Sequence, residues 1–432
     1  MTVLLPPEAE SLWAASAPAA PDLPALAGDL KVDTVVVGAG FCGLHAALAL
    51  AGAGQSVAVL DAGSLGLGGS GRNGGVVSAK FRRSYRDIAA SHGLDTARTM
   101  HEIAQASVVH LIATLQRFGL EAGFERTGAL KCAHTEAAFA HAREEADWLR
   151  ATLGERDLRV LDRQETEAET GSRDFCGAVL AGQGGVIQPL RYLRALAAAV
   201  AREGVAVHPR TPVLDLSERG AEVQLRVPGG TVTAGRVLLA TNAYSSLTPA
   251  TGRVRRMLVP FRSAMIATEP LPADLDAILC PKGRSYTETR RMMRWFRKVD
   301  GRLLFGGRGA LGAVDAPAAF TRLEAAMRRI FPALEGIAID KRWSGHVALT
   351  FDALPQAGKL SDRVFYAAGF NGTGVAMSGL VGHRMGQLIA GADPELSLIL
   401  RARPPEVPFF GLRAVGVRGV TAWFEMLDAL GR

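Results

Sequence analysis

Thr34-Val35-Val36-Val37-Gly38-Ala39-Gly40-Phe41-Cys42-Gly43 carries an apolar run straight into a G-x-G-x-x-G turn, and a small-residue stretch continues to Ala51. The three glycines have separate tasks. The first lets a strand turn sharply into a helix, the second admits a pyrophosphate close to the backbone, and the third lets the helix pack tightly on the sheet. The helix N-terminus adds unpaired N–H groups and the positive end of its dipole. A second apolar run, Ser56–Leu60, follows and ends in Asp61-Ala62, with the acid 18 residues past Gly43. That spacing is close to the ~20 expected for a carboxylate that binds a ribose hydroxyl pair. The stretch therefore predicts a dinucleotide-binding βαβ unit over residues 32–62.

Just beyond it, residues 63–75 hold seven glycines in thirteen positions, with Ser70-Gly71-Arg72-Asn73-Gly74-Gly75 at the end. Arg72 and Asn73 amid glycines suit a loop whose N–H groups and side chains close over a phosphate or flavin edge. Much further on, the buried-strand pattern Val364–Ala368 runs into Gly369-Phe370-Asn371-Gly372-Thr373-Gly374 and another small-residue helix start. Two such turns at opposite ends of the chain predict a nucleotide domain assembled from discontinuous pieces. The apolar strand 236–240 ends in Thr241-Asn242, small polar residues of the kind found in nucleotide-site loops.

Composition narrows the class. The chain has 432 residues, 48% hydrophobic, enough to fill the cores of two or three domains. The net charge of +7 is dispersed rather than gathered into a tract, which argues against nucleic acid as a partner. Its densest basic group is Arg284, Arg290, Arg291, Arg294, Arg297 and Lys298, interleaved with Met292, Met293, Trp295 and Phe296. That group reads either as a solvated strand face or as an anion-binding wall. Four scattered cysteines and nine histidines show no metal or disulfide spacing, so no metal is expected and a reducing cytoplasm is the default. The uncharged run 35–54 carries five glycines and a histidine, which fits the nucleotide turn better than a transmembrane segment.

Periodicity predicts helices over 95–118, 135–153, 189–203 and 317–330. Strands are expected at 257–261, 264–268, 294–298 and 302–306, with an antiparallel meander over 213–234. Residues 1–30 read as a surface arm. The tail 404–432, with Phe409, Phe410, Trp423 and Phe424, is expected to pack on the core.

From about Ser11 to Gly431 the chain resembles the FAD-dependent amino acid and amine oxidase superfamily, most of all the bacterial gamma-glutamylputrescine oxidase group. The resemblance is carried by the first glycine turn, by Gly69–Gly75, by Gly93-Leu94-Asp95-Thr96-Ala97-Arg98 and by Thr241-Asn242-Ala243-Tyr244. Gly301–Gly307, Arg342-Trp343-Ser344-Gly345 and Gly369–Val375 complete it. It implies an α/β fold: a discontinuous Rossmann-like FAD-binding domain over 31–80, 150–245 and 340–395. An α+β substrate domain over 81–149 and 246–339 would be built on a mixed or antiparallel sheet, with a C-terminal segment from 396 to 432.

By that likeness Gly38, Ala39, Gly40, Phe41, Cys42 and Gly43 hold the pyrophosphate, and Asp61 and Ala62 the ribose. Val213 would meet the adenine. Ser70 to Gly75, Thr241, Asn242, Gly345, Gly369, Asn371, Gly372, Thr373 and Gly374 would line the flavin. FAD would be non-covalent, since no cysteine lies in 341–352. The substrate would be a small amine or amino acid, with O2 as electron acceptor. Its wall would be Arg294, Trp295, Phe296 and Arg297, with His346 as a base or polar anchor. A dehydrogenase feeding a quinone or carrier, and a non-catalytic FAD-binding protein, stand as alternatives.

Three departures weaken the substrate label. Thr373 stands where the gamma-glutamylputrescine group usually has histidine, and Gly185-Val186-Ile187-Gln188-Pro189 lacks its histidines. Arg294 replaces a carboxylate, which favours an anionic substrate group over a cationic polyamine end.

Overall fold

The run Leu30–Val37 forms a strand whose last four residues are buried on both faces, as its unbroken apolar pattern requires. A computed structural model describes residues 11–308 and 317–412 with a few positions beyond. In it this strand pairs in parallel with Val57–Leu60 on one side and Gly230–Leu239 on the other. Among the described residues the sheet has nine strands. Its order runs from Leu400–Arg401 through Gln356–Lys359, Val364–Ala368, Gly230–Leu239, Leu30–Val37 and Val57–Leu60 to Ala206–His208. The predicted meander hangs on Gly230–Leu239 as the antiparallel strands Asp215–Arg219 and Glu222–Val227.

The helix Phe41–Gly52 is almost wholly apolar and lies between the sheet and Gly374–Ile389, against which it packs with small residues. A Cβ at Gly382 would come within 2.0 Å of the Cys42 carbonyl, so this contact requires glycine. Beneath these helices, His45 lies 2.8 Å from the Tyr192 hydroxyl and 2.9 Å from His110, whose ring is tilted against His383 with centroids 4.8 Å apart. Burial holds His45 well below the ordinary histidine range, reinforced by His110 and His383. His110 is brought to about 4 by burial, His383 and Arg384.

The second sheet has, among the described residues, eight strands: Ile339–Leu349, Val259–Thr268, Arg302–Arg308, Arg294–Val299, Ser285–Glu288, Ala129–Ala133, Gly177–Ala181 and Leu158–Leu161. All its pairings are antiparallel except that of Ser285–Glu288 with Ala129–Ala133. The helix Pro317–Ile330 covers one face through Phe320, Leu323 and Met327.

This topology corrects several expectations. Leu158–Leu161 and Gly177–Ala181, assigned by sequence to the nucleotide domain, belong to the second sheet, as does Ile339–Leu349. The helix Leu94–Phe118, assigned to the substrate domain, buries Ala97, Met100, Ile103 and Leu111 in the same core as Val36 and Leu44. An amphipathic pattern announces a buried face but not which sheet buries it. The two strands expected at 257–261 and 264–268 are one, Val259–Thr268.

The N-terminal segment departs from a surface arm only at its described start, where the Leu12–Ser16 helix inserts Trp13 fully into the core, while residues 14–30 run exposed or half-buried. At the other end, Phe409 and Trp423 are exposed rather than packed, and Phe424 lies outside the described residues.

Candidate functional site

The cofactor-style turns meet at the carboxyl ends of the parallel strands. Successive crossovers there leave Leu30–Val37 in opposite directions, which opens a crevice. The cleft encloses about 850 Å³ open to solvent and is lined by Gly38–Gly40, Asp61, Ala62, Ser70, Val213, Thr241 and Asn242, all expected from sequence. Asp61 is held toward it by two backbone donors, Ala39 N–H at 2.7 Å and Gly63 N–H at 2.9 Å. Burial raises the Asp61 carboxyl above its ordinary range, against the pull of those two N–H groups.

Phe41, Cys42 and Gly43 do not line the cleft. Phe41 and Cys42 point into the core, where burial pushes the Cys42 thiol up to about 12. Gly43 is there for packing, because a Cβ would sit 1.9 Å from the Gly38 carbonyl oxygen. The helix they begin has no side-chain cap at Gly40. One of its N–H groups, that of Phe41, is taken by Ser70 Oγ at 3.1 Å.

The glycine-rich loop is stitched from within and from outside. Asn73 donates to the carbonyls of Gly69 and Ser70 and accepts from the Gly75 N–H. Arg72 donates to the Ser344 carbonyl at 2.5 Å, and Trp343 Nε1 donates back to the Arg72 carbonyl at 3.1 Å. Gly345 packs on the Arg72 side chain, so the Arg-Trp-Ser-Gly element is the seat of the loop.

In the second turn, Asn371 adopts φ 54° and donates to the Gly369 carbonyl at 2.5 Å while its Oδ1 accepts from Thr350 N–H at 2.9 Å. Asn242 Oδ1 accepts the Gly369 N–H at 2.8 Å, which joins this turn to the cleft wall. Thr373 turns its hydroxyl to the Phe370 carbonyl and leaves the Gly374–Ile389 helix start without a side-chain cap. Gly372 adopts φ 88° at the surface.

Strand alternation divides the expected substrate wall. On Arg294–Val299, Trp295 and Arg297 share the face toward the glycine-rich loop, whereas Phe296 is in the opposite core, stacked on Tyr286 and Phe305. Arg294 is on that far side too. It forms an ion pair with buried Glu288 at 3.1 Å, and Glu288 also pairs with Arg290. Burial lowers the Arg294 guanidinium, and Glu288 offsets that effect. Arg294 and Phe296 thus form no part of a wall shared with Trp295. Arg297 is buried and donates to the carbonyls of Gly75 at 2.9 Å and Ile187 at 3.1 Å, so it anchors backbone. Trp295 remains, its ring against Gly74 and over Gly306.

His346 is buried beside the cleft, edge-on to Tyr244 at 5.6 Å, with its carbonyl against Gly69. Its backbone N–H faces the Tyr244 hydroxyl at 3.5 Å.

Sequence reasoning missed Trp13, Tyr244 and Gly306. Trp13 Nε1 donates to the Asn73 carbonyl at 2.7 Å, and Arg297 lies 5.5 Å over its ring. Tyr244 lines the cleft directly after the strand whose polar end was recognised. Gly306 makes room for the Trp295 ring, a relation that only strand pairing reveals.

Comparison with known proteins agrees with this geometry. Over 428 residues the chain is 32% identical to gamma-glutamylputrescine oxidoreductase of Escherichia coli K12, covering 98% of each. The fold matches the crystal structure of glycine oxidase from Geobacillus kaustophilus with a TM-score of 0.75 at 22% identity, covering 87% of this chain and 99% of that one. It also matches L-proline dehydrogenase from P. horikoshii with a TM-score of 0.70 at 20% identity, covering 84% and 94%. With its first glycine turn lining the cleft, and with residues 33–388 matching the DAO family, the chain belongs to the FAD dependent oxidoreductases and is an FAD-dependent enzyme.

Proposed function

We propose that the protein oxidises the C–N bond of an amine or amino acid to an imine, with O2 as the electron acceptor and H2O2 as a product. The observation that carries this reading is the end-to-end likeness to an enzyme named as an oxidoreductase of gamma-glutamylputrescine. The cleft suits FAD. Two helices of 12 and 16 residues begin at its glycine turns without side-chain caps, a setting that favours anionic groups. Asp61, fixed by two N–H groups, would take the ribose hydroxyls, and Gly38, Gly40 and Ser70 would approach the pyrophosphate. Tyr244, Arg72 and the Gly369–Gly374 turn would surround the flavin end, which we propose is held non-covalently. When bound, FAD supplies a two-electron acceptor for hydride from the carbon beside the substrate nitrogen and passes the electrons on to O2.

The chain's own contribution is position and electrostatics. Trp295 offers a rigid apolar surface at the glycine-rich loop, and Arg297 keeps that loop in register with the sheet. His346 is fixed between Gly69 and Tyr244, where it anchors a polar group of the substrate or takes up its proton. The imine product would leave and hydrolyse in water.

Anaerobic mixing with a panel of amines and amino acids tests the reading. Loss of oxidised-flavin absorbance near ~450 nm is expected for at least one, followed by stoichiometric H2O2 when air is admitted. A flavin left oxidised by the whole panel overturns the substrate class. Bleaching without peroxide, with reduction of a quinone dye instead, overturns the acceptor.

A further inference from the structure

Two consecutive carbonyls of the glycine-rich loop are each held by an indole. Trp343 Nε1 donates to the Arg72 carbonyl at 3.1 Å, and Trp13 Nε1 donates to the Asn73 carbonyl at 2.7 Å. The two rings meet edge to face with centroids 6.1 Å apart, and both are fully buried. A peptide unit is planar, so fixing its carbonyl also fixes the direction of its N–H. Trp343 comes from the strand Ile339–Leu349 of the second sheet. Trp13 comes from the Leu12–Ser16 helix, ahead of the residues 33–388 that match the family.

Trp13 reaches the loop from a strap laid over the surface. Ser11, Leu12 and Trp13 are buried, whereas residues 14–30 are exposed or half-buried. The strap is fastened through its backbone to the helix Pro189–Arg202. Gln188, the buried N-cap of that helix, donates to the Trp13 carbonyl at 3.0 Å and to Ser16 Oγ at 3.2 Å. Arg191 donates to the Ser16 carbonyl at 3.0 Å, and Arg194 to that of Pro18.

From the Asn73 backbone the connection runs on into the cleft. The Asn73 side-chain nitrogen donates to the carbonyls of Gly69 at 3.1 Å and Ser70 at 2.9 Å. Gly69 and Ser70 line the cleft, and Ser70 Oγ accepts the Phe41 N–H at the first glycine turn. At the other end of the loop, Arg297 lies 5.5 Å over the Trp13 ring and donates to the Gly75 carbonyl. Residues 72–75 belong to no helix or strand, and three glycines border Arg72 and Asn73. Such a segment has wide conformational freedom, and whatever does not order it in the fold has to be ordered when a ligand binds.

We propose that Trp13 is a positioning residue for the cofactor: its N–H and its ring hold the glycine-rich loop in the conformation that binds FAD. The N-terminal strap is thereby part of the cofactor site, although Trp13 does not line the cleft. It acts through Asn73 and Arg297. The proposal concerns FAD binding and is independent of the substrate and of the electron acceptor.

The test uses the full-length FAD-loaded enzyme and its Trp13→Phe variant, which keeps an aromatic ring and removes the donor. Trp148→Phe, in the helix Glu136–Leu153, serves as the control. Fluorescence of free flavin on serial dilution gives the Kd for FAD. Mass spectrometry after brief trypsin treatment follows cleavage after Arg72, a buried residue that the protease reaches only when the loop opens. In Trp13→Phe the Kd is expected to rise about tenfold, the size of one hydrogen bond lost from a carbonyl. Cleavage after Arg72 should accelerate by a similar factor and be suppressed by excess FAD, with neither readout changed in the control. Gln188→Met, which releases the Trp13 carbonyl and leaves the ring intact, should move both readouts in the same direction, and it carries the test if Trp13→Phe folds poorly. A Trp13→Phe enzyme that melts at a lower temperature but keeps the wild-type Kd and the wild-type cleavage after Arg72 has lost packing alone, and overturns the proposal. A change in only one of the two readouts overturns it as well. Neither readout involves an amine, so failure of the strap and failure of the proposed reaction are separate results.

Discussion

Arg297 Nη1 donates to the Gly75 carbonyl oxygen at 2.9 Å, a bond that spans 222 residues and joins the glycine-rich loop to the second sheet. The same nitrogen reaches the Ile187 carbonyl at 3.1 Å. Burial lowers the guanidinium to about 10, with Glu125 and Asp300 opposing the shift, so it is still charged at neutral pH.

Replacing Arg297 by Met should therefore remove the side-chain donor of the Ile187 and Gly75 carbonyls, of which Gly75 keeps the Ile187 N–H at 2.9 Å. A loss of about 1–3 kcal/mol in stability is expected, together with faster FAD release. Urea unfolding and the fluorescence of released flavin measure the two effects. Unchanged flavin retention in the variant would show that the loop does not depend on this anchor.

Asp61→Ala should weaken FAD binding by about ten- to a hundredfold, the size of losing charge-assisted hydrogen bonds to a ribose. Asp61→Asn should fall between the two, since one side-chain oxygen still accepts a backbone N–H. Flavin content after ultrafiltration at graded protein concentration checks the order.

Gly306→Ala would place a methyl group 2.0 Å from the Trp295 ring. Since this is a ring and not a flexible chain end, the tryptophan has to move away from Gly74. We expect kcat/KM to drop at least tenfold with FAD content preserved, because small displacements of a positioning surface are costly to rate. A Trp295→Ala variant with the same loss, not additive to it, would locate the effect at the ring.

The histidine chain beneath the nucleotide helix predicts an acid-sensitive fold. A histidine whose folded pKa lies below its unfolded value is held neutral by the fold. For His110 the full stability is present above the usual 6.5 and is lost as pH falls from there toward about 4. His45 and His383 are shifted the same way, with Arg384 and Arg117 adding to the effect of burial on His383. Each such histidine steepens the loss by up to about 1.4 kcal/mol per pH unit. Thermal melts between pH 7 and 4 should show a falling Tm, and His110→Leu should flatten the slope.

Much of the cleft was legible in sequence because it is local. Gly38, Gly40 and Asp61 belong to one strand–helix–strand unit, and their spacing encodes both the turn and the reach of the carboxylate. The substrate wall was legible only in part. Alternation along 294–299 sets Trp295 and Arg297 apart from Arg294 and Phe296, yet nothing within that segment says which set faces the cofactor. Trp13 and Gly306 were missed because their partners, the Asn73 carbonyl and the Trp295 ring, come from other elements.

The sequence alone determined that a dinucleotide-binding βαβ unit forms and where its glycine turn lies, because a glycine's φ freedom and the spacing of a βαβ unit are properties of contiguous residues. Tertiary structure decided which charges are available. Arg294 carries the same charge as Arg297, but Glu288 from a neighbouring strand neutralises the first, and the second binds the Gly75 and Ile187 carbonyls. Hydrogen-bonded strands bring distant residues within Coulomb range, and that pairing, not the composition of the basic run, sets what each charge does.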